Sequence, residues 1–183
     1  MKLFMKKHGL GGANTLTGLK FEGKVDFLTF IKEQKNYSVE GNDIFYHGQK
    51  VGLTFKKHGL YKYLGEKGID YTELISQKLL PDDAIFVIAN NTMHIIEIKF
   101  QEGSGSTDEK LQTCDFKIKQ YRKLFSRLNF EVKYIYILNE WFQKQGYKDV
   151  LDYIISVEGC SYYFNYLPLQ KIGLPVPDAE IIC

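Results

Sequence analysis

The sequence is poor in the residues and runs that mark several common classes of protein. Its 183 residues include four prolines, three cysteines and one tryptophan, and its longest wholly apolar run is the six residues from Ala84 to Ala89. A helix needs about 20 apolar residues to span a bilayer. The amino-terminal segment MKLFMKKHGLGG holds no apolar stretch long enough for the core of a signal peptide. We therefore expect a cytoplasmic protein with no membrane partner.

The cysteines and the net charge indicate no special chemistry. Cys114, Cys160 and Cys183 are odd in number and widely separated, with no zinc-ligand spacing, and we expect reduced, unpaired thiols. A formal net charge of +2 does not by itself indicate a nucleic-acid partner. The hydrophobic fraction of 44% and the aromatic fraction of 15% exclude a disordered or collagen-like chain.

The length corresponds to a single domain over residues 1–183, which can bury a full core without disulfides or metals. Hydrophobic periodicity predicts strands alternating with helices, and hence an α/β fold with a mixed central sheet flanked by helices. The predicted elements are a helix carrying Phe27, Leu28, Phe30 and Ile31 on one face, strands over 43–46 and 51–55, a helix over 71–80, strands over 84–89 and 94–100, a helix over 107–127, a strand over 130–138 and a helix over 147–157.

The informative stretch is a pair of acids followed, after a hairpin, by a glutamate and a lysine. Asp82 and Asp83 precede one predicted strand, and Glu97-Ile98-Lys99 ends the next. With a two-residue turn at Asn90-Asn91, Asp82 would face Lys99, whereas one more loop residue would place Asp83 there. In either register, an acid meets Glu97 and Lys99.

Strand alternation places Glu97, Lys99 and Gln101 on one face of the second strand. Two close carboxylates repel each other unless a positive group lies between them, and a hard cation such as Mg²⁺ with oxygen ligands removes that conflict. A neighbouring lysine can then hold a water or stabilise charge on a phosphoryl group. Separate interpretations remain open: Asp82 as a turn-forming residue, and Glu97 and Lys99 as charges that protect an exposed edge strand.

Pro81-Asp82 together with Glu97-x-Lys99 resembles the motif of the PD-(D/E)xK nuclease superfamily. The resemblance implies three antiparallel strands, a helix and a further strand, and it spans about residues 15–140. The rest of the domain, 141–183, is expected to hold a helix and an aromatic tail. It also implies that Asp82, Glu97 and the backbone carbonyl of Ile98 bind Mg²⁺, with Mn²⁺ as a substitute. Lys99 would handle the nucleophile.

Four further features accompany this resemblance. Segment 17–22 resembles the first-helix segment of family members, with Glu22 in the place of an additional acid, and run 103–111 is similar to a loop and helix start in some type II restriction endonucleases. Gln101 is a candidate for contacting the scissile phosphate or orienting a water. The following helix is densely basic, which is typical of a solvated face or of phosphate contacts; these candidate DNA-binding residues are Lys117, Lys119, Arg122 and Lys123.

We therefore expect a Mg²⁺-dependent endodeoxyribonuclease acting on double-stranded DNA, in the form of a small type II restriction endonuclease. Double-strand cleavage needs two sites, which implies a homodimer, with residues 162–169 as a candidate contact. A companion DNA methyltransferase would belong to the same system. The alternatives are a repair or recombination endonuclease of the same fold and a DNA-binding module without catalysis.

Overall fold

The fold is described by a computed structural model, which covers residues 18–20, 27–102 and 107–177. These residues form an α/β fold with a seven-stranded mixed sheet, so the predicted fold class is confirmed at this level. None of the described helices combines the length and the apolar composition needed to cross a lipid bilayer.

The central sheet has strand order β2-β3-β4-β5-β6-β7-β8. Neighbouring strands from β2 to β6 are antiparallel, whereas β6, β7 and β8 are parallel. A separate two-stranded sheet pairs β1 with β9. The strands are β1 Gly18–Lys20, β2 Tyr37–Glu40, β3 Asp43–Tyr46, β4 Gln49–Phe55, β5 Asp83–Val87, β6 Thr92–Lys99, β7 Glu131–Leu138, β8 Cys160–Phe164 and β9 Tyr166–Pro168.

Helices cover both faces of the central sheet. They are α1 Phe27–Glu33, α2 Gly59–Glu66, α3 Thr107–Leu111, α4 Cys114–Phe125 and α5 Lys148–Ser156. Short 3₁₀ segments lie at Tyr71–Glu73, Ser126–Leu128, Glu140–Gln143, Gln145–Tyr147 and Leu169–Ile172. Parallel strands need a crossover connection, and α4 supplies it between β6 and β7 while α5 supplies it between β7 and β8.

Two hydrophobic cores lie on opposite faces of the sheet. On one face, which we call the α4 face, α2, α4 and α5 pack against Ala84, Met93 and Ile95. On the other, the α1 face, α1 and the segment after β8 pack against Ile85 and Ile96. Successive residues of β5 and β6 therefore enter different cores, as strand alternation requires.

The predicted helix over 71–80 is wrong. Only Tyr71–Glu73 is helical there, as a 3₁₀ turn whose start is capped by Asp70: its carboxylate accepts a 2.9 Å hydrogen bond from the backbone N–H of Thr72. The helix in this region is α2, which was not predicted. Its glycines weaken the propensity signal, but Leu60, Tyr61 and Leu64 lie on one buried stripe.

The predicted helix over 107–127 is interrupted. It consists of α3 and α4, separated by a turn at residues 112–113. The Thr113 hydroxyl donates a 2.7 Å hydrogen bond to the Lys110 carbonyl, so a side chain takes an acceptor at the end of α3. Strands β1, β2, β8 and β9 were not predicted. The comparison of segment 17–22 with a first-helix segment is wrong for residues 18–20, which form β1 and pair with β9.

Candidate active site

The hairpin of β5 and β6 brings the motif residues to one end of the sheet. Its register runs from Asp83 opposite Ile96 to Val87 opposite Thr92, which leaves residues 88–91 as the loop. Asn91 closes that loop in the left-handed region, at φ 51°. The predicted pairing of Asp82 with Lys99 is therefore wrong, because the loop has four residues rather than two. Continued by one residue, the observed register sets Asp82 opposite Glu97.

The same geometry separates the two neighbouring acids. Asp82 lies on the α4 face, where its Oδ2 accepts a 2.8 Å hydrogen bond from the Ile98 backbone N–H and lies 3.7 Å from Lys99 Nζ. Asp83 is 2% exposed and shares the α1 face with Ile85 and Val87. Asp82, and not Asp83, is the acid that joins Glu97 and Lys99.

Glu97 lies between two ammonium groups. Its Oε2 accepts a 2.6 Å hydrogen bond from Lys99 Nζ, and its Oε1 lies 3.7 Å from Lys117 Nζ. The Glu97 side chain is only 10% exposed. Burying a carboxylate costs free energy unless opposite charges are paired with it, and the two lysines provide that pairing.

Strand β6 lies between β5 and β7 in the sheet. The interpretation of Glu97 and Lys99 as charges on an exposed edge strand is therefore wrong. Charged side chains at the end of a central strand, packed under a helix, need another explanation, because an interior strand has no open edge to protect.

Lys117 points into this cluster and was not predicted to do so. It was grouped with the phosphate-binding candidates, but its Nζ faces Glu97 and lies 5.8 Å from the centre of the Tyr134 ring. The signal that could have found it is helical spacing: Lys117 follows the buried Cys114 by one turn and precedes the buried Tyr121 by another.

The other basic candidates on α4 are exposed. Lys119 Nζ donates a 2.8 Å hydrogen bond to Asp115, and Arg122 Nη2 donates one of 2.9 Å to the Glu158 carbonyl. Lys123 is exposed as well. These three side chains lie on the outer surface of the helix, where a phosphate backbone could reach them.

Of the two remaining candidate site residues, Gln101 and Glu22, the structure describes only Gln101. Gln101 is buried, and its backbone is joined to the end of β7: its N–H donates to Asn139 Oδ1 at 3.2 Å, and Asn139 Nδ2 donates to its carbonyl at 2.8 Å. This pair fixes the chain just beyond Lys99. Glu22 and the Gly/Ser segment 103–106 lie outside the described residues.

Buried tyrosines line the cluster on its inner side. Burial raises the pKa of Tyr121 above its ordinary range, and the negative charges of Glu97 and Asp82 add to that effect. Burial likewise raises the pKa of Tyr134, again with Glu97 contributing. These phenols therefore stay neutral, and they present a weakly polar wall behind the carboxylate.

The oxygens that the resemblance assigns to a metal ion surround one position, which the Lys99 ammonium group occupies. Lys99 Nζ lies 3.7 Å from Asp82 Oδ2, 2.6 Å from Glu97 Oε2 and 3.4 Å from the Ile98 carbonyl oxygen. Two carboxylates and a carbonyl suit Mg²⁺, which keeps several waters and needs few protein ligands. Within residues 18–20, 27–102 and 107–177 there is no cluster of three or more His, Cys, Asp or Glu side chains that could hold a metal. Water would have to complete the coordination.

Comparison with models of known protein families, with curated proteins and with solved structures finds no match for this chain.

Proposed function

We propose that the protein is a Mg²⁺-dependent endodeoxyribonuclease that hydrolyses phosphodiester bonds in double-stranded DNA, acting as a small type II restriction endonuclease. The observation that carries the proposal is the convergence of Asp82 Oδ2, Glu97 Oε2 and the Ile98 carbonyl around Lys99 Nζ. This combination is what the PD-(D/E)xK motif requires. It lies at the end of a central strand, beneath a basic helix.

The strand order supports the proposal. Strands β4, β5 and β6 are antiparallel, and α4 leads to β7, which is parallel to β6. This is the sequence of three strands, a helix and a further strand that the resemblance implies. A restriction-endonuclease-like core is therefore part of the proposal.

The chain's own groups have distinct parts in the proposed reaction. Asp82, Glu97 and the Ile98 carbonyl would hold the ion, which when bound polarises a phosphoryl oxygen and lowers the pKa of a coordinated water. Lys99 would hold the attacking water or stabilise charge on the phosphoryl group. The burial of Glu97 keeps bulk water from weakening these charge interactions.

The proposed substrate and assembly rest on surface features. Lys119, Arg122 and Lys123 lie exposed on α4, where they would contact phosphates and set the position of the duplex. Two strands need two sites, and a two-fold homodimer supplies them. Residues 162–169, which begin within the edge strand β8, carry no charged side chains. They are half-buried except for the buried Leu167 and Leu169, which suits a contact between copies. A restriction role would also require a companion DNA methyltransferase.

The test is digestion of a plasmid of known sequence with Mg²⁺, followed by sequencing of the ends. We expect double-strand cuts at fixed sites, and we expect Glu97→Gln to lower the rate by about 1,000-fold or more. Glu131→Gln is the matched control, since Glu131 is an exposed residue paired with Lys133. Cutting confined to nicked, flapped or four-way DNA would select a repair enzyme, and tight binding without cleavage would select a binding module.

A second variant tests the lysine. Lys99→Ala should keep both carboxylates and DNA binding but lower cleavage by several orders of magnitude, because the group that positions the water is gone. Cleavage at the wild-type rate would show that the assignment of Glu97-Ile98-Lys99 as a catalytic segment is wrong. Light scattering of the complex with DNA tests the dimer, and one chain per duplex would contradict it.

A further inference from the structure

The position of Lys99 is unusual for a group that should act on water or phosphate. Its Nζ lies within 4 Å of every oxygen assigned to the ion: Asp82 Oδ2, Glu97 Oε2 and the Ile98 carbonyl. Magnesium–oxygen bonds are about 2.0–2.1 Å long and demand near-octahedral order. The ammonium group and the ion therefore cannot share this space, and like charges at such a distance repel strongly in a partly buried site.

We propose that Lys99 is an internal cation that occupies the ion-binding position until a divalent ion displaces it. Binding of the ion and release of the Lys99 ammonium group are then one exchange. This inference rests on the proposed function, because it concerns the same oxygens. It explains how Asp82 and Glu97 lie close together without mutual repulsion when no ion is bound.

The exchange also determines when Lys99 can act. While its Nζ donates to Glu97 Oε2, that hydrogen bond holds the ammonium group on the carboxylate. Once displaced, the side chain, which is 17% exposed, is released to turn toward the opening of the site. The Lys99 ammonium group becomes available to water and phosphate only after the divalent ion has bound, so the two cations act one after the other.

Lys117 provides the matched comparison. It is also a lysine beside Glu97, but its Nζ is 3.7 Å from the other oxygen, Oε1. It approaches from α4, with the Tyr134 ring beside it. Replacing either lysine removes one positive charge near Glu97, but only replacement of Lys99 clears the position between the three oxygens.

The test measures binding of Mg²⁺ and Mn²⁺ without DNA, by calorimetry and by electron paramagnetic resonance of Mn²⁺. We expect Lys99→Met to bind the ions at least about tenfold more tightly than the wild type, and Lys117→Met to change affinity by about threefold or less. Equal gains in the two variants would mean that net charge alone acts, and would overturn the proposal. So would unchanged or weaker binding in Lys99→Met.

Thermal unfolding keeps the test decisive if Lys99→Met folds poorly without an ion. We expect this variant, and Lys99→Gln, to be destabilised in the absence of Mg²⁺ and to gain more stability from it than the wild type does. No gain over the wild type would overturn the exchange. If wild type and variants all bind no divalent ion, the proposed metal-dependent function fails instead, and the two failures are thus distinguished.

Discussion

Asp82 and Asp83 are the same residue type at consecutive positions, yet they lie in opposite parts of the molecule. Asp82 is 43% exposed, accepts from the Ile98 N–H and faces Lys99 on the α4 face. Asp83 is almost fully buried on the α1 face, opposite Ile96. A single step along a strand separates a group available to a ligand from one enclosed by the core.

Strand β6 repeats this contrast with two buried polar residues. Glu97 extends under α4, between two ammonium groups. His94 lies on the α1 face, where burial lowers its pKa to about 4, so it remains neutral. On the α4 face two lysines compensate the buried carboxylate, whereas on the α1 face the buried side chain carries no charge.

The largest expected effect is a difference in cleavage rate between variants of the two aspartates. Asp82→Asn should lower cleavage by about 1,000-fold or more, which corresponds to ~4 kcal/mol of transition-state stabilisation. Asp83→Asn should leave the rate within about tenfold of wild type, since its side chain lies on the other face. Single-turnover cleavage with Mg²⁺ measures both. Equal losses would show that the faces are not chemically separate.

The next effect concerns acid stability on the α1 face. Because the pKa of His94 is lowered to about 4 in the folded protein, the unfolded chain takes up its proton first. Protonation of His94 should therefore cost no stability above about pH 6.5, and it should lower the free energy of unfolding by roughly 3 kcal/mol as the pH falls toward 4. His94→Gln should remove that share of the loss in urea unfolding measured at several pH values.

His58→Gln is the matched control, because His58 is an exposed histidine just before α2. The charged groups that act on His94 are Lys133, which lowers its pKa, and Glu131, which raises it. If His94→Gln retains the full acid loss, the titrating group lies elsewhere.

A smaller effect separates Lys117 from the other lysines of α4. Lys117→Met should lower kcat by about 10- to 100-fold with little change in KM, as for a residue that orients a metal ligand. Lys117→Arg should restore part of the rate. Lys119→Met should leave kcat unchanged, because that side chain is exposed and paired with Asp115. A rise in KM with kcat unchanged would instead indicate that Lys117 contacts a phosphate of the substrate.

The smallest expected effect is on salt dependence. If Lys119 contacts a phosphate, Lys119→Ala should flatten the slope of log affinity against log salt by about one unit. Lys148→Ala is matched to it, because Lys148 is paired with Asp152 on α5 just as Lys119 is paired with Asp115 on α4. Equal slopes for both variants and the wild type would place α4 away from DNA.

The sequence predicted the faces of this hairpin better than its register. The predicted pairing was displaced by two residues, and a shift of two leaves every side chain on its own face. Asp82 therefore joined Glu97 and Lys99 although its partner had been misassigned. The length of the loop at residues 88–91 could not be read locally, since Asn90-Asn91 alone favours a shorter turn.

Other parts depend on contacts distant in sequence. Lys117 contacts Glu97, twenty residues away in sequence, only because α4 packs on the sheet. The basic composition of the helix, taken alone, predicted an exposed side chain. Strands β8 and β9 form from aromatic residues after position 159, where alternation is weak and pairing with β7 and β1 decides the structure. The glycines of α2 lower its helix propensity, so the helix was not predicted, and tertiary packing of its buried side stabilises it.

The tyrosines behind Glu97 also give the protein an optical property. The chain holds 13 tyrosines and one tryptophan, and burial raises the pKa of Tyr121 and Tyr134 well above that of a free phenol. In alkaline solution the exposed phenols should ionise first, and these two only when the α4 face opens. Their late change in near-ultraviolet absorption would report the integrity of this face from within, without a label.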